Sequence, residues 1–327
     1  MTPPDPPPPG MRLMDRLRRA LQMRHYSVRT EAAYSEWVLR FLRYHRMRHP
    51  AEMAEAEINE FLSWLATDRG VSASTQNQAL AALLFLYRHV LEQPIGELRH
   101  LVRAKRTLRV PAVLSREEVR TLLSHMSGAR GLAASLLYGA GLRLHECLTL
   151  RVKDVDPGRG AITVREGKGS KDRVTMLPAT LAEAVKAHLA RVQSLHARDL
   201  REGWGAVPLP HALALKFPNA SRAWCWQWVF PQARRWQNTA TGEEGRHHMD
   251  ASILQRAVHE ATLQSGLQKR VTCHTLRHSF ATHLLEAGHD IRTIQELMGH
   301  ADVRTTMIYT HVLKLGPAGV KSPIDRL

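Results

Sequence analysis

The 327-residue sequence predicts a mainly α protein of the α+β kind built from two domains, and three observations carry that prediction. Apolar residues recur at helical spacing through most of the chain. A basic stretch ending at Pro111 divides it near residue 100. One convincing pair of strands lies in the second half, on either side of a Gly-rich turn. The expected division is a disordered Pro-rich leader at 1–10, a four-helix domain at 11–97, a basic linker at 98–113 and a larger domain at 114–327. An insertion at about 196–249 interrupts the larger domain.

Arg12 to His25 reads as a basic helix. Tyr34, Trp37, Val38, Phe41 and Leu42 then fall at i, i+3, i+4, i+7 and i+8, an amphipathic stripe whose other face carries Arg40, Arg43, Arg46 and Arg48. Ile58, Phe61, Leu62 and Leu65 repeat the pattern. A fourth helix is expected from about Ser74 to near Pro94, with Leu80, Leu83, Leu84, Tyr87, Val90 and Leu91 inside. The linker brings Arg103, Lys105 and Arg106, which suit a phosphate backbone. Ser115-Arg-Glu-Glu has the form of a capping box and opens the second domain. Leu132 to Tyr138 reads as a buried helix ending at Gly139 and Gly141, with Arg143 just after the turn and Glu146 three residues on. Ala161–Arg165 and Arg173–Leu177 are the strands, with Lys168 and Lys171 on the turn between them. Thr180–Leu195 and Asp250–Gln264 are helical, and the insertion between them holds Trp224, Trp226, Trp228, Trp236, His247 and His248. Tryptophan at every second position from 224 to 228 fits a half-buried strand. It equally fits a set of flat faces for unstacked bases.

Charge narrows the partners. Forty-six basic residues against 30 acidic give +16 without the 19 histidines, an excess that points to nucleic acid or an anionic membrane surface. No apolar run approaches the roughly 20 residues of a spanning helix. The leader, with six prolines in ten residues, is neither signal nor anchor. Three widely spaced cysteines do not form a disulfide framework, and a reducing cytoplasm is the expected location.

The segment from Cys273 to Thr310 carries the chemistry. His274, Arg277 and His278 share one helical face, His300 follows a Gly in a helix-ending turn, and Tyr309 comes nine residues later. Together with Arg143, these groups suit attack on a phosphodiester by a phenol. Arginine's planar fork holds the phosphate oxygens. Tyrosine, with a reference pKa of about 10, needs cationic neighbours or a base, and His274 or His300 can serve. Lys168 is the candidate acid for the leaving 5′-oxygen, and His278 a structural hydrogen-bonder. The His-x-x-x-His pair also has zinc-ligand spacing, but Thr275 stands where zincins carry Glu. No metal, cofactor or small-molecule substrate is assigned.

This order of residues closely resembles the tyrosine recombinase (phage integrase) family over roughly residues 11–316. Arg143 within Gly-Leu-Arg-Leu-His-Glu matches the first family arginine, Glu146 an acidic position that typically supports it, and Lys168 the hairpin lysine. His274 and Arg277 match the His-x-x-Arg pair, His300 within Leu-Met-Gly-His the second histidine, and Tyr309 the nucleophile. The resemblance implies an N-terminal SAM-like core-binding domain and a C-terminal catalytic domain that clamp DNA. It also implies a 3′-phosphotyrosine intermediate at Tyr309, consumption of neither ATP nor metal, and a homotetramer on two DNA sites in the bacterial nucleoid. The insertion resembles that of integron integrases, which recombine gene-cassette sites as folded single strands. On that likeness Trp224, Trp226, Trp228, His247 and His248 are expected to stack on protruding bases, and Arg40, Arg43, Arg103, Lys105, Arg106 and Lys171 to touch DNA. The rivals are a duplex-specific phage-type or chromosomal resolving recombinase, a non-catalytic DNA-binding relative, and a zinc nuclease. Deleting residues 220–248 should separate the first rival from the integron type.

Overall fold

The computed structural model describes residues 12–96, 104, 111–165, 172–210, 213–217, 219–237, 242, 244–300, 302–303 and 305–307. The expected leader, most of the linker including Arg103, Lys105 and Arg106, the hairpin lysines Lys168 and Lys171, and Tyr309 lie outside them. The chain divides into two compact units between Arg109 and Val110.

The first unit is a helical bundle of α1 (Leu13–Met23), α2 (Val28–Tyr44), α3 (Glu55–Thr67) and α4 (Ala73–His89). Ser27 and Ser72 cap α2 and α4 by accepting the Thr30 and Thr75 amides, each at 3.2 Å. The predicted stripes of α2 and α3 are buried, apart from half-buried Tyr34. On α4 the expectation needs correcting. The helix stops at His89, Leu84 faces solvent, and Gln76, Ala79, Ala82, Phe85 and Leu86 join the core. The cause is that α4 packs against both α2 and α3, so more than one stripe of its surface is covered. Two polar pins lock this arrangement. The Tyr87 hydroxyl donates to the carbonyls of Pro50 (2.9 Å) and Met53 (3.1 Å), and the Gln76 amide donates to Leu62 O at 2.9 Å.

The second unit begins with α5 (Arg116–Ser124), whose Ser115–Glu118 capping box forms as predicted. It continues with α6 (Gly128–Gly139), the short α7 (Leu144–Leu148), and strands β1 (Val155–Asp156), β2 (Ala161–Val164) and β3 (Arg173–Met176). The strands form an antiparallel sheet in the order β1-β2-β3, with Ile162 opposite Thr175 and Val164 opposite Arg173. Then come α8 (Ala182–Arg201), α9 (Leu213–Lys216), a two-stranded ribbon of β4 (Trp236–Gln237) and β5 (Glu244–Gly245), α10 (Ala251–Gln264), α11 (Cys273–Glu286) and α12 (Ile291–Met298). Helix α8 runs six residues beyond the predicted Leu195, so the irregular insertion begins after Arg201. The core, centred on Leu136, Leu137, Leu148, Ile162, Leu254 and Leu276, joins α6, α7, β2, α10 and α11. Val229 and Phe230 of the insertion belong to it. Deleting residues 220–248 would therefore tear the core, and point substitutions must replace that test.

Candidate active site

Helix α11 is central to this unit, and Arg277 on it is only 1% exposed. A buried guanidinium must have its charge and its donors satisfied. Nη1 donates to Gly141 O, and Nη2 donates to Met298 O at 2.5 Å and to His300 Nε2 at 3.2 Å. Glu146 Oε2 lies 3.6 Å from Nη1. The two glycine turns anticipated from the sequence make this possible. Gly141 has φ +62°, and a Cβ there would lie 2.4 Å from the Phe280 ring. Gly299 ends α12 in the left-handed region at φ +61°, and a Cβ would meet the Arg173 side chain.

Arg143 caps α7 and converges on the same place. Its Nη1 donates to Glu146 Oε1 at 2.6 Å, its amide to Oε2 at 2.8 Å, and its Nη2 to Gly299 O at 3.0 Å. A third arginine, which sequence reasoning missed, completes the knot. Arg173 at the head of β3 grips Glu146 through Nη1 (3.0 Å) and Nη2 (2.5 Å), while its Nε donates to Leu297 O at 2.9 Å. Three successive carbonyls at the end of α12, Leu297, Met298 and Gly299, thus each receive one arginine. Those carbonyls are the negative end of the helix and lack intrahelical partners, so guanidinium groups suit them. Burial alone would raise the Glu146 carboxyl. Hydrogen bonds from Arg173 and Arg143 overcome it and lower the pKa to about 2.

His300 is held from both sides. Arg277 can only donate, so Nε2 accepts from it; Nδ1 then carries the proton and faces Thr306 Oγ1 at 2.9 Å. Burial, helped by Arg277 and Arg143, lowers the His300 pKa to about 3. Burial and the same two arginines also lower His274, whose ring centroid lies 4.6 Å from that of His278. His278 falls to about 4 through burial and the neighbouring His274 and Arg277. All three imidazoles, shifted downward, are therefore neutral at pH 7, and His300, with Nε2 accepting from Arg277 and the proton on Nδ1, has no free nitrogen for the base role the sequence also allowed it. Thr306, fully buried, is a second residue the sequence reading passed over. Among the described residues no group of three or more His, Cys, Asp or Glu could hold a metal ion.

Sequence comparison decides what this arrangement belongs to. Residues 112–315 match the phage integrase family, and residues 13–97 match the phage integrase N-terminal SAM-like domain. The chain belongs to the phage integrase family. It is accordingly a tyrosine recombinase, an enzyme that transfers DNA strands. An integrase/recombinase of Escherichia coli is 50% identical over 326 residues, covering 100% of this chain and 97% of the relative. The tyrosine recombinase XerA of Thermococcus kodakarensis is 34% identical over 283 residues, covering 85% and 86%. Among solved structures, the XerH site-specific recombinase bound to difH substrate in a pre-cleavage complex matches with TM-score 0.55. The identity is 25%, over 90% of this chain and 79% of that one. The Tn1549 transposon integrase, at 19% identity and TM-score 0.60, shares the fold, with 97% of this chain and 99% of that one covered.

The insertion is pinned to the recombinase's α8 chiefly by polar contacts. His188 and His196 meet the carbonyls of Val229 (2.7 Å) and Arg222 (3.0 Å). Asp199, 1% exposed, receives Arg246 through Nη2 at 3.0 Å and Arg235 through Nη2 at 2.9 Å. Arg151 reaches in from before β1 and donates to the carbonyls of Trp226 and Pro208, each at 2.7 Å. The predicted tryptophan strand is not there: 224–226 is a 3-10 turn. Trp228 is corrected from a stacking face to a core residue. It is 7% exposed, its Nε1 donates to Arg246 O, and Arg151 covers its ring at 3.5 Å. Trp224 and Trp226 are half-buried; Trp224 packs on His196, and Lys153 sits 3.0 Å above Trp226. His247 and His248 are half-buried side by side, His247 with its ring 4.5 Å from that of Trp236 and His248 5.3 Å from that of Trp228. Arg40 and Arg43 are exposed on α2 of the first unit, Arg40 paired with Glu36 at 2.8 Å.

Proposed function

We propose that this tyrosine recombinase is of the integron type, cutting and rejoining folded single-stranded cassette sites through a 3′-phosphotyrosine at Tyr309. The observation that carries the proposed chemistry is the convergence of Arg143, Arg277 and His300 on one turn beside Glu146. Arg143, whose side chain is 24% exposed, keeps donor capacity for the nonbridging oxygens of a phosphate, while buried Arg277 adds its charge beneath, and together they stabilise the charge that grows there as the phosphorane forms. The Tyr309 oxygen attacks phosphorus and its proton passes to the neutral imidazole of His274. The bond from phosphorus to the 5′-oxygen breaks, and Lys168 protonates the leaving oxygen. The return step runs the same transfers backwards: a 5′-hydroxyl attacks the phosphotyrosine ester and Tyr309 recovers its proton. His278 supports His274, with which it is in ring contact.

The integron assignment is supported by the pinned insertion, which presents His247, His248 and Trp236 together with half-buried Trp224 and Trp226. An extrahelical base stacking on such rings gains about 1–3 kcal/mol. DNA is the partner of the solved neighbours XerH and the Tn1549 integrase, and we extend it to this chain as a homotetramer on two sites. Arg40, Arg43, Arg103, Lys105, Arg106 and Lys171 serve as phosphate contacts. No helix among the described residues is long and apolar enough to cross a membrane, and the reading places the protein in the cytoplasm with the nucleoid. Likeness to Xer-type recombinases supports the second reading, a duplex-specific resolving enzyme.

A nicked suicide substrate, offered as duplex and as folded single strand, tests both. Covalent adduct from the wild type and none from Tyr309→Phe is expected. Selective loss on the folded strand with His247→Ala/His248→Ala supports the integron type. Equal loss on duplex favours the resolving enzyme, and no adduct from the wild type on either substrate ends the catalytic proposal.

A further inference from the structure

We infer that the insertion also carries a phosphate-binding subsite, which grips the DNA strand flanking an extrahelical base. The inference rests on the single-strand reading above and adds a site that the stacking rings do not supply. An open depression of about 440 Å³ is lined by Arg198, Glu202, Ala233, Arg234, Arg235 and Arg246. Four guanidinium groups in one recess repel one another unless anions hold them. Two of the four are held. Arg246 and Arg235 share buried Asp199, and Arg235 also pairs with Glu202. That pairing balances two positive charges with two negative ones. Arg198, on the last turn of α8, and Arg234, just before β4, are exposed, and among the described residues they make no ion pair. The recess therefore offers two surplus guanidinium forks above a neutral, fixed floor, a surface matched to phosphate oxygens.

Its placement gives it a purpose. Arg235 immediately precedes Trp236 on β4, and Arg246 immediately precedes His247 after β5. The Trp236 and His247 rings are in contact, so the ribbon that Arg235 and Arg246 flank also holds the ring surface in place. A nucleotide that lays its base on those rings has its phosphates one sugar away. Arg198 and Arg234 meet such a phosphate without sharing any residue with the strand-transfer centre. A merely solvated arginine face would make no distinction between DNA forms.

The test is equilibrium binding of the full chain across a salt series, to a folded single-stranded site and to the same sequence as duplex. Removing two phosphate contacts lowers the slope of log K against log salt by about 1.4 on a single strand. Arg198→Ala/Arg234→Ala should show that fall on the folded site and keep the wild-type slope on duplex. Arg198→Lys/Arg234→Lys, which preserves the charge, should keep the slope on both. An unchanged slope on the folded site overturns the subsite, and so does an equal fall on duplex, which marks a general backbone contact. Failure of the single-strand reading itself is visible beforehand, in wild-type protein that binds folded site and duplex alike, and the subsite falls with it.

Discussion

Two carboxylates, partly buried Glu146 and fully buried Asp199, each gather arginines, and the two knots differ in what they leave over. Glu146 faces Arg143, Arg173 and Arg277, three guanidinium groups against one carboxylate. Asp199 and its neighbour Glu202 face Arg235 and Arg246, so charge is balanced there. Arg246 spends its remaining donors on the carbonyls of Gln232 and Ala233. A balanced knot is a fastener, holding the insertion to α8. An unbalanced one retains an appetite for anions, which a transferring phosphoryl group satisfies. The lesson is that carboxylate-anchored arginines alone do not mark a reaction centre; a surplus among the arginines that share the carboxylate does.

The comparison can be broken most severely at Arg143. Arg143→Ala should slow formation of the covalent adduct by about 10²–10³-fold, the usual cost of losing one donor to developing charge. Single-turnover gel assays read that loss, and a near-wild-type rate would remove the surplus-charge argument.

Glu146→Gln comes next. It leaves three guanidinium groups without their counter-ion, and chemical denaturation should show a loss of about 3–5 kcal/mol. The acid limb sharpens this. The folded Glu146 pKa of about 2 lies below its ordinary 4.5, so its contribution is complete above about pH 4.5 and is lost as pH falls toward 2. His300, lowered from 6.5 to about 3, also favours the fold at high pH and penalises it progressively below 6.5. Stability should fall in two stages on acidification. In Glu146→Gln the second stage flattens and the first remains.

Asp199→Asn should cost less, about 2 kcal/mol, because Arg235 keeps Glu202 and Arg246 keeps its carbonyls. Hydrogen exchange should quicken in 204–248 while adduct formation on duplex stays within twofold of wild type, roughly 0.4 kcal/mol. A large loss of duplex cleavage would show that the fastener belongs to the reaction centre. The smallest effect is expected at Thr306. Thr306→Val removes the acceptor of His300 Nδ1–H and should slow cleavage about fivefold with a stability change near 1 kcal/mol. Thr306→Ser should restore the rate, and failure to do so would assign Thr306 to packing alone.

Much of this was legible in the sequence. The stripes of α2 and α3 followed from one-sided burial at helical spacing. Arg143 and His300 followed from Gly141 and Gly299, since a turn that needs a left-handed residue announces where the next side chain projects. Arg173 was hidden because β3 is inverted. Arg173, Thr175 and Leu177 point inward while Val174, 60% exposed, and Met176 point out. Alternation alone would have placed the apolar residues inside. Trp228 misled for a related reason, since an indole spaced like a surface ring is swallowed when a distant arginine, Arg151, supplies both its neighbour and its cover. Asp199 went unnoticed because the helix that carries it continues past the expected end at Leu195.

The end of α12 has one further consequence. Leu297, Met298 and Gly299 present their carbonyls one residue apart, so the three arginines are indexed like teeth on a rack. Lengthening or shortening that turn by a single residue would re-address all three together, and no one arginine could be adjusted alone. Sequence drift at this point is thus all or nothing, whereas the fastened insertion can drift piece by piece.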